Sequence, residues 1–207
     1  MGVGTLHLRK KVAREAAILL YCGIEKEYKQ AKLKAAKTFG VQFVPTNLEV
    51  ALELDKIAEE KEGLARQERL IRMRTEALKL MRILERYSPK LVGSVWRGSI
   101  HHESDIDVTV YHSEPNDIIE ILKRNGFHIL QTEWVAVTKK GQKKASFHVH
   151  LESPAKEKIE IIVRNPEETQ LKEKCEIYGD EVVGLHVREL EKLLKENPLQ
   201  RFVPFLD

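Results

Sequence analysis

Cysteine is nearly missing from this 207-residue chain. Cys22 and Cys175 are the whole complement and form no CxxC pair, so neither a disulfide framework nor a thiolate zinc site is indicated. Long apolar runs are missing too. No segment approaches the ~20 consecutive apolar residues that a bilayer-spanning helix needs, and the opening MGVGTLHLRKK has no apolar core followed by a small-residue cleavage site. A cytoplasmic protein with no membrane partner is expected. There is no internal repeat and no low-complexity stretch. What is present, 42% hydrophobic and 32% charged residues, fits a soluble globular protein. The length suits one well-buried domain with appendages or two small ones. Heavy use of Lys and Glu is compatible with the ion-pair networks of a thermophile.

The net charge is only +3, but it is unevenly spread. Residues 1–38 hold nine Lys or Arg against three Glu, and residues 49–62 hold six acids against two lysines. The next segment is basic again, with Arg66, Arg69, Arg72, Arg74, Lys79, Arg82 and Arg86. Two readings stand: oppositely charged helices pair with each other, or a basic face is left over for phosphate backbones.

Apolar residues at Val12, Ala16, Leu19, Leu20 and Ile24 recur at helical spacing, which predicts a helix or broken helix over 8–38, interrupted near Gly23 and stopped by Gly40. Thr46 with Glu49 reads as a capping box for a second helix ending at Gly63. A third helix is predicted from Leu64 to about Tyr87, ended by Ser88-Pro89. After Pro89 the pattern changes to strands: KLVGSV, DIDVTVY, FHILQTEWVAV, ASFHVHLE and KIEIIVR, with a helix over about 116–124 after the second. Two tail helices are predicted, near Glu167–Glu176 and His186–Glu196, and the apolar RFVPFLD is expected to dock. The fold class is α+β: a mixed β-sheet with flanking helices, preceded by a helical N-terminal region. The expected division is 1–87 helical, 88–165 core and 166–207 helical tail.

The chemistry concentrates in GSVWRGSIHHESDIDV, Gly93 to Val108. In an extended chain residues two apart share a face, so Asp105 and Asp107 look the same way while Ile106, Val108 and Val110 face the core. On KIEIIVR the same alternation sets Glu160 opposite Ile159, Ile161 and Val163, so Glu160 joins the aspartates if the strands are neighbours. Like charges that close ask for a cation or a proton between them. Gly93-Ser94 closes one strand and opens a short helical turn, where backbone N–H groups can hold an anion. An anion cradle beside a carboxylate cluster suits phosphoryl chemistry, in which divalent cations neutralise both sides.

LVGSVWRGSIHHESDIDVTVY resembles the signature of the DNA polymerase beta-like nucleotidyltransferase superfamily: a hydrophobic strand, Gly-Ser, a spacer, Asp-x-Asp between hydrophobics, and a later acidic strand. Its local form is similar to that of archaeal CCA-adding enzymes and small archaeal nucleotidyltransferases. The resemblance covers about residues 75–165 and implies a nucleotidyltransferase-like fold. It implies that Gly93 and Ser94 bind the phosphates of an NTP, with Arg97 and Ser104 as further phosphate contacts. It also implies that Asp105, Asp107 and Glu160 hold two Mg²⁺ ions, Mn²⁺ substituting, with Glu160 helping to activate the acceptor. The implied reaction moves a nucleoside monophosphate to a hydroxyl on RNA or on a protein, releasing pyrophosphate. The alternative is a catalytically inactive module of the same fold that binds nucleic acid or nucleotide. Templated or processive polymerisation is not expected from so short a chain beyond Glu160.

Other features carry two readings each. His148, His150 and Glu152 share a strand face, as a supplementary metal site or as the polar side of a half-covered sheet. Lys139, Lys140, Lys143 and Lys144 flank Gly141 in a hairpin that either grips a nucleic-acid backbone or deters edge-to-edge pairing. His101 and His102 touch a nucleotide or are solvated. Trp96 and Trp134 stack on a base or pack in the fold.

Overall fold

The computed structural model describes residues 3–139 and 142–204. Helix α1 (Val3–Tyr21) ends before Gly23, and α2 (Tyr28–Thr38) ends before Gly40. Helix α3 (Asn47–Ile83) opens on the expected capping box: Glu49 N–H donates to Thr46 Oγ1 at 3.1 Å, and Thr46 N–H donates to Glu49 Oε2 at 2.6 Å. The two helices expected on either side of Gly63 run on as one kinked rod. Gly63 sits at φ +50° and ψ −128°, a conformation that residues with a Cβ avoid.

The kink divides the burial. Before it, Val50, Leu54 and Ile57 pack with α1 and α2. After it, Leu70, Met73, Leu80, Met81 and Leu84 pack under the sheet.

Strands β1 (Lys90–Val92), β2 (Ile106–Tyr111), β3 (His128–Lys139), β4 (Gln142–Glu152) and β5 (Lys158–Arg164) form one sheet in the order β1-β2-β5-β4-β3. β2 and β5 run parallel, and the other neighbours are antiparallel. A parallel pair needs a long crossover; here it consists of helix α5 (Pro115–Arg124) and the β3–β4 hairpin. Alternation then sorts the faces. Ile106, Val108, Val110, Ile159, Ile161 and Val163 are buried against α3, α5 and the tail helix, and the carboxylates take the other side.

The tail departs from expectation. In place of a helix over Glu167–Glu176 there is a 3-10 turn, Pro166–Gln170, and then an irregular segment with a bridge between Lys174 and Glu181. No residue of that turn is buried. Without an apolar face to pack, a stretch this short does not sustain an α-helix. The second tail helix, α6 (Val187–Glu196), is where expected: His186 N–H donates to Glu189 Oε2 at 2.7 Å, and Leu190 and Leu193 bury against α3. Phe202 stacks on Trp96 with ring centroids 6.2 Å apart, while residues 205–207 lie outside the described residues.

Much of the alternating charge is consumed between helices. Arg9 and Arg14 of α1 pair with Glu49 at 2.6 Å and Glu60 at 2.7 Å of α3, and within α3, across the kink, Arg69 pairs with Glu62 at 2.5 Å. No described helix is long and apolar enough to cross a membrane.

Candidate active site

Val92 is the register partner of Asp107, and the chain leaves β1 at Gly93 to enter α4 (Gly93–Arg97). The turn passes close against the Asp107 carboxylate. A Cβ added to Gly93 would lie 1.9 Å from Asp107 Oδ2, and the backbone there has φ +69°. Both facts require glycine.

Across the sheet, Asp107 is the register partner of Glu160, and Glu160 of His150. Their side chains therefore lie on the same face of neighbouring strands. Burial first, then the charges of Glu160 and Asp105, hold the Asp107 carboxyl well above its usual range. Asp105 is also raised, chiefly by burial, with Lys158 pulling it back.

A second chain of contacts reaches Glu160 from β4. His148 Nδ1 lies 2.6 Å from Glu160 Oε1, and His148 Nε2 lies 2.8 Å from Ser146 Oγ. His150 Nε2 stands 3.3 Å from Glu133 and 3.8 Å from Glu160. Glu152 turns away to Lys156 at 2.7 Å. The His148, His150 and Glu152 row is therefore split, two members toward Glu160 and one toward solvent.

Among the described residues, no group of three or more His, Cys, Asp or Glu is arranged to hold a metal ion. Asp107 and Glu160 are register partners on neighbouring strands, and Glu160 Oε1 is engaged by His148. Their chemistry nevertheless fits a hard divalent cation, because crowded carboxylate oxygens are its preferred donors and their mutual repulsion is what a cation relieves.

Asp105 and Asp107 open on a cleft of about 570 Å³. Gly93, Ser94, Ser104, Asp105, Asp107 and Lys158 line its polar side. Ser104 also holds the approach to Asp105: its Oγ accepts from His101 N–H at 2.9 Å, and its own N–H donates to His101 O at 2.8 Å. That loop is tied to the helices before it. Arg66 Nε donates to Ile100 O at 2.7 Å, and His102 N–H donates to Glu62 Oε1 at 2.9 Å. Tyr21 packs on the His102 ring at 4.4 Å. Burial lowers the pKa of His101 to about 4.

Arg97 borders the cleft but is committed elsewhere. Its guanidinium donates to Asp180 at 2.8 and 3.1 Å and to Phe202 O at 2.9 Å, between the Trp96 and Tyr178 rings. Trp96 is accordingly a packing residue. Trp134 is 64% exposed and meets Phe147 edge-on at 5.2 Å. Lys140 lies outside the described residues; for Lys139, Lys143 and Lys144 only the backbone register of β3 and β4 is described.

Sequence reading missed three contributors. Lys158 sits two residues before Glu160, so alternation sets it on the same face, a signal that was available. Arg74 and the α1–α2 connection left none. Fully buried Arg74 donates to the carbonyls of Val95, Trp96, Pro198 and Gln200 at 2.7–3.1 Å, clamping the C-terminal end of α4 to the tail.

The chain belongs to the nucleotidyltransferase domain family, whose model matches residues 70–202, and so to the DNA polymerase beta-like nucleotidyltransferase superfamily. No curated protein matches the chain. Among solved structures, Cid1 in complex with the UTP analogue UMPNPP is 20% identical over 55% of this chain and 37% of that chain, with a TM-score of 0.35. A cytoplasmic RNA terminal U-transferase is 18% identical over 57% of this chain and 35% of that one, also with a TM-score of 0.35. The chain thus spans little more than a third of the length of these proteins.

Proposed function

We propose that this protein is a divalent-metal-dependent nucleotidyltransferase that moves a nucleoside monophosphate from an NTP to a hydroxyl acceptor on RNA or on a protein. The observation that carries this is the in-register pairing of Asp107 with Glu160 on adjacent strands, with the Gly93 turn set against Asp107. Asp105, Asp107 and Glu160 would hold Mg²⁺, with Mn²⁺ as a substitute, and the metal supplies charge neutralisation at the phosphates.

The protein's own groups do the positioning. Gly93 lets the chain approach closely enough for the Ser94 turn to face the phosphates, and Ser104 fixes the approach to Asp105. Glu160, oriented by His148, takes the proton of the acceptor hydroxyl. The acceptor oxygen bonds to the α-phosphorus, the bond to the β-phosphate oxygen breaks, and pyrophosphate leaves with that electron pair. In this reading residues 1–87 are a helical region, 88–165 the catalytic core and 166–207 the tail, acting in the cytoplasm where NTPs are available.

The test is label transfer from each α-labelled NTP, with Mg²⁺ and total RNA and protein extract, beside an Asp105→Asn/Asp107→Asn control. Aspartate-dependent label on RNA or on protein supports the reading and names the acceptor class. Label that persists in the double variant, or pyrophosphate release that does, would sink it.

A further inference from the structure

An NTP has two chemically opposed ends, and the cleft is divided in the same way. At one end stand the Gly93–Ser94 turn and the aspartates. The opposite wall is apolar and aromatic: Leu20, Gly23 and Tyr28 from α1, α2 and their connection, Leu54 from α3, and Ile177 with Tyr178 from the tail. Most of this wall comes from residues before 70, outside the span of the family match.

Tyr28 is the first residue of α2 and half-buried. Burial, with Tyr178 and Cys175 nearby, raises its hydroxyl well above the ordinary tyrosine range. Tyr178 is held in place by the Arg97 guanidinium, 4.6 Å from its ring centroid. Lys26, in the same connection, lines the cleft and is exposed, and among the described residues no ion pair engages it. Its neighbours are already engaged: Glu25 pairs with Lys34 at 2.9 Å, and Asp55 pairs with Arg66 and Arg201. A cation that no described ion pair engages, lining one cleft with the Gly93–Ser94 turn and Tyr28, is complementary to a nucleoside triphosphate. A volume of about 570 Å³ accommodates one.

We propose that the α1–α2 connection builds the nucleoside half of the NTP site, with the Tyr28 ring against the base and Lys26 directed at the triphosphate. This rests on the nucleotidyltransferase reading and extends it to residues that the family does not supply. Since every base presents a π-face, contact with the Tyr28 ring serves all four bases and separates nucleotides from bare polyphosphate.

The experiment is equilibrium binding of each of the four NTPs, and of inorganic tripolyphosphate, in Mg²⁺ to the full-length protein and three variants. Tyr28→Leu keeps the apolar bulk and is expected to weaken every NTP by about 10-fold or more, the scale of one base–aromatic stack, while tripolyphosphate binds as before. Tyr28→Phe keeps the ring and NTP affinity. Lys26→Ala, at an exposed position, weakens NTP and tripolyphosphate alike. The proposal is overturned if Tyr28→Leu, shown folded by its thermal melt, binds NTPs like the parent or loses both ligands equally, or if Tyr28→Phe loses as much as Tyr28→Leu. Failure of the parent to bind either ligand would overturn the nucleotidyltransferase reading itself, a separate result from parental NTP binding that ignores Tyr28.

Discussion

The two hydrophobic cores of this molecule are built from different materials. Under the sheet, Leu, Ile, Val, Met and aromatic side chains fill the space, and Ala77 is the single alanine in the cluster. Between α1, α2 and the first half of α3, six of the twelve buried residues are alanines: Ala13, Ala16, Ala17, Ala31, Ala35 and Ala36. Alanine allows close helix approach but removes little apolar area per residue, so a bundle of this kind gains less from burial than the sheet does. Charge makes up part of the difference, through Arg9–Glu49, Arg14–Glu60 and the contacts from α3 to the 100–102 loop. A strongly packed core therefore carries the aspartates, and a lightly packed one carries the opposite wall of the cleft.

The sharpest way to break this comparison acts on catalysis. Asp107→Asn is expected to lower label transfer by about 10²-fold or more, the scale of losing a group that stabilises developing charge. The same change is expected to raise the melting temperature in EDTA at neutral pH. A carboxyl whose folded pKa lies above its unfolded value contributes stability below the unfolded pKa and loses it as pH rises through the folded one. At neutral pH, above the unfolded pKa, a carboxyl raised in this way costs the fold stability, and asparagine removes that cost. A lower melting temperature in EDTA would show that the Asp107 carboxyl is structural.

Core truncation measures the two materials directly. Ile161→Ala, fully buried under the sheet, is expected to cost about 2–5 kcal/mol in denaturant unfolding. In the bundle the informative change runs the other way. Ala16→Leu, at a position with no exposed surface, is expected to cost about 1–3 kcal/mol by overpacking; a stabilised variant would mean that the alanine core holds unfilled space.

Arg74 joins the regions beyond the kink. Arg74→Met strands four carbonyls and is expected to cost about 3 kcal/mol, and to raise KM for NTP through the loosened α4 turn. Unchanged KM in a destabilised but folded protein would limit Arg74 to stability.

A milder effect comes from pH. His101 is neutral in the fold, with its pKa lowered to about 4 against an ordinary 6.5. Its contribution is present above 6.5 and is lost as pH falls toward 4. His101→Gln should flatten the melting temperature between pH 7 and pH 5 relative to the parent protein. The smallest effect belongs to the half-exposed Arg9–Glu49 pair: Arg9→Ala is expected to cost at most about 1 kcal/mol, and less in high salt.

Period and spacing made the frame of the site legible. Two-residue alternation set Asp107 and Glu160 on one face and Ile106, Val108, Ile159 and Ile161 on the other, and the structure has them in that register. The Thr46–Glu49 capping box was readable because its partners are three residues apart. The tail helix over Glu167–Glu176 was misread because local spacing suggested a helix that no packed face supports. The resemblance implies a phosphate contact for Arg97, and nothing near it in the chain points to its engagement with Asp180, 83 residues away.

By itself, then, the sequence determined the elements whose causes are local: the helices, the strand faces, the glycine turn and the family signature. Only the tertiary structure decided that Asp107 and Glu160 fall in register on adjacent strands, that Asp180 engages Arg97, that Arg74 clamps α4 to the tail, and that the α1–α2 connection walls the cleft. Each of these depends on side chains brought together across long stretches of chain by burial, and burial is blind to sequence separation.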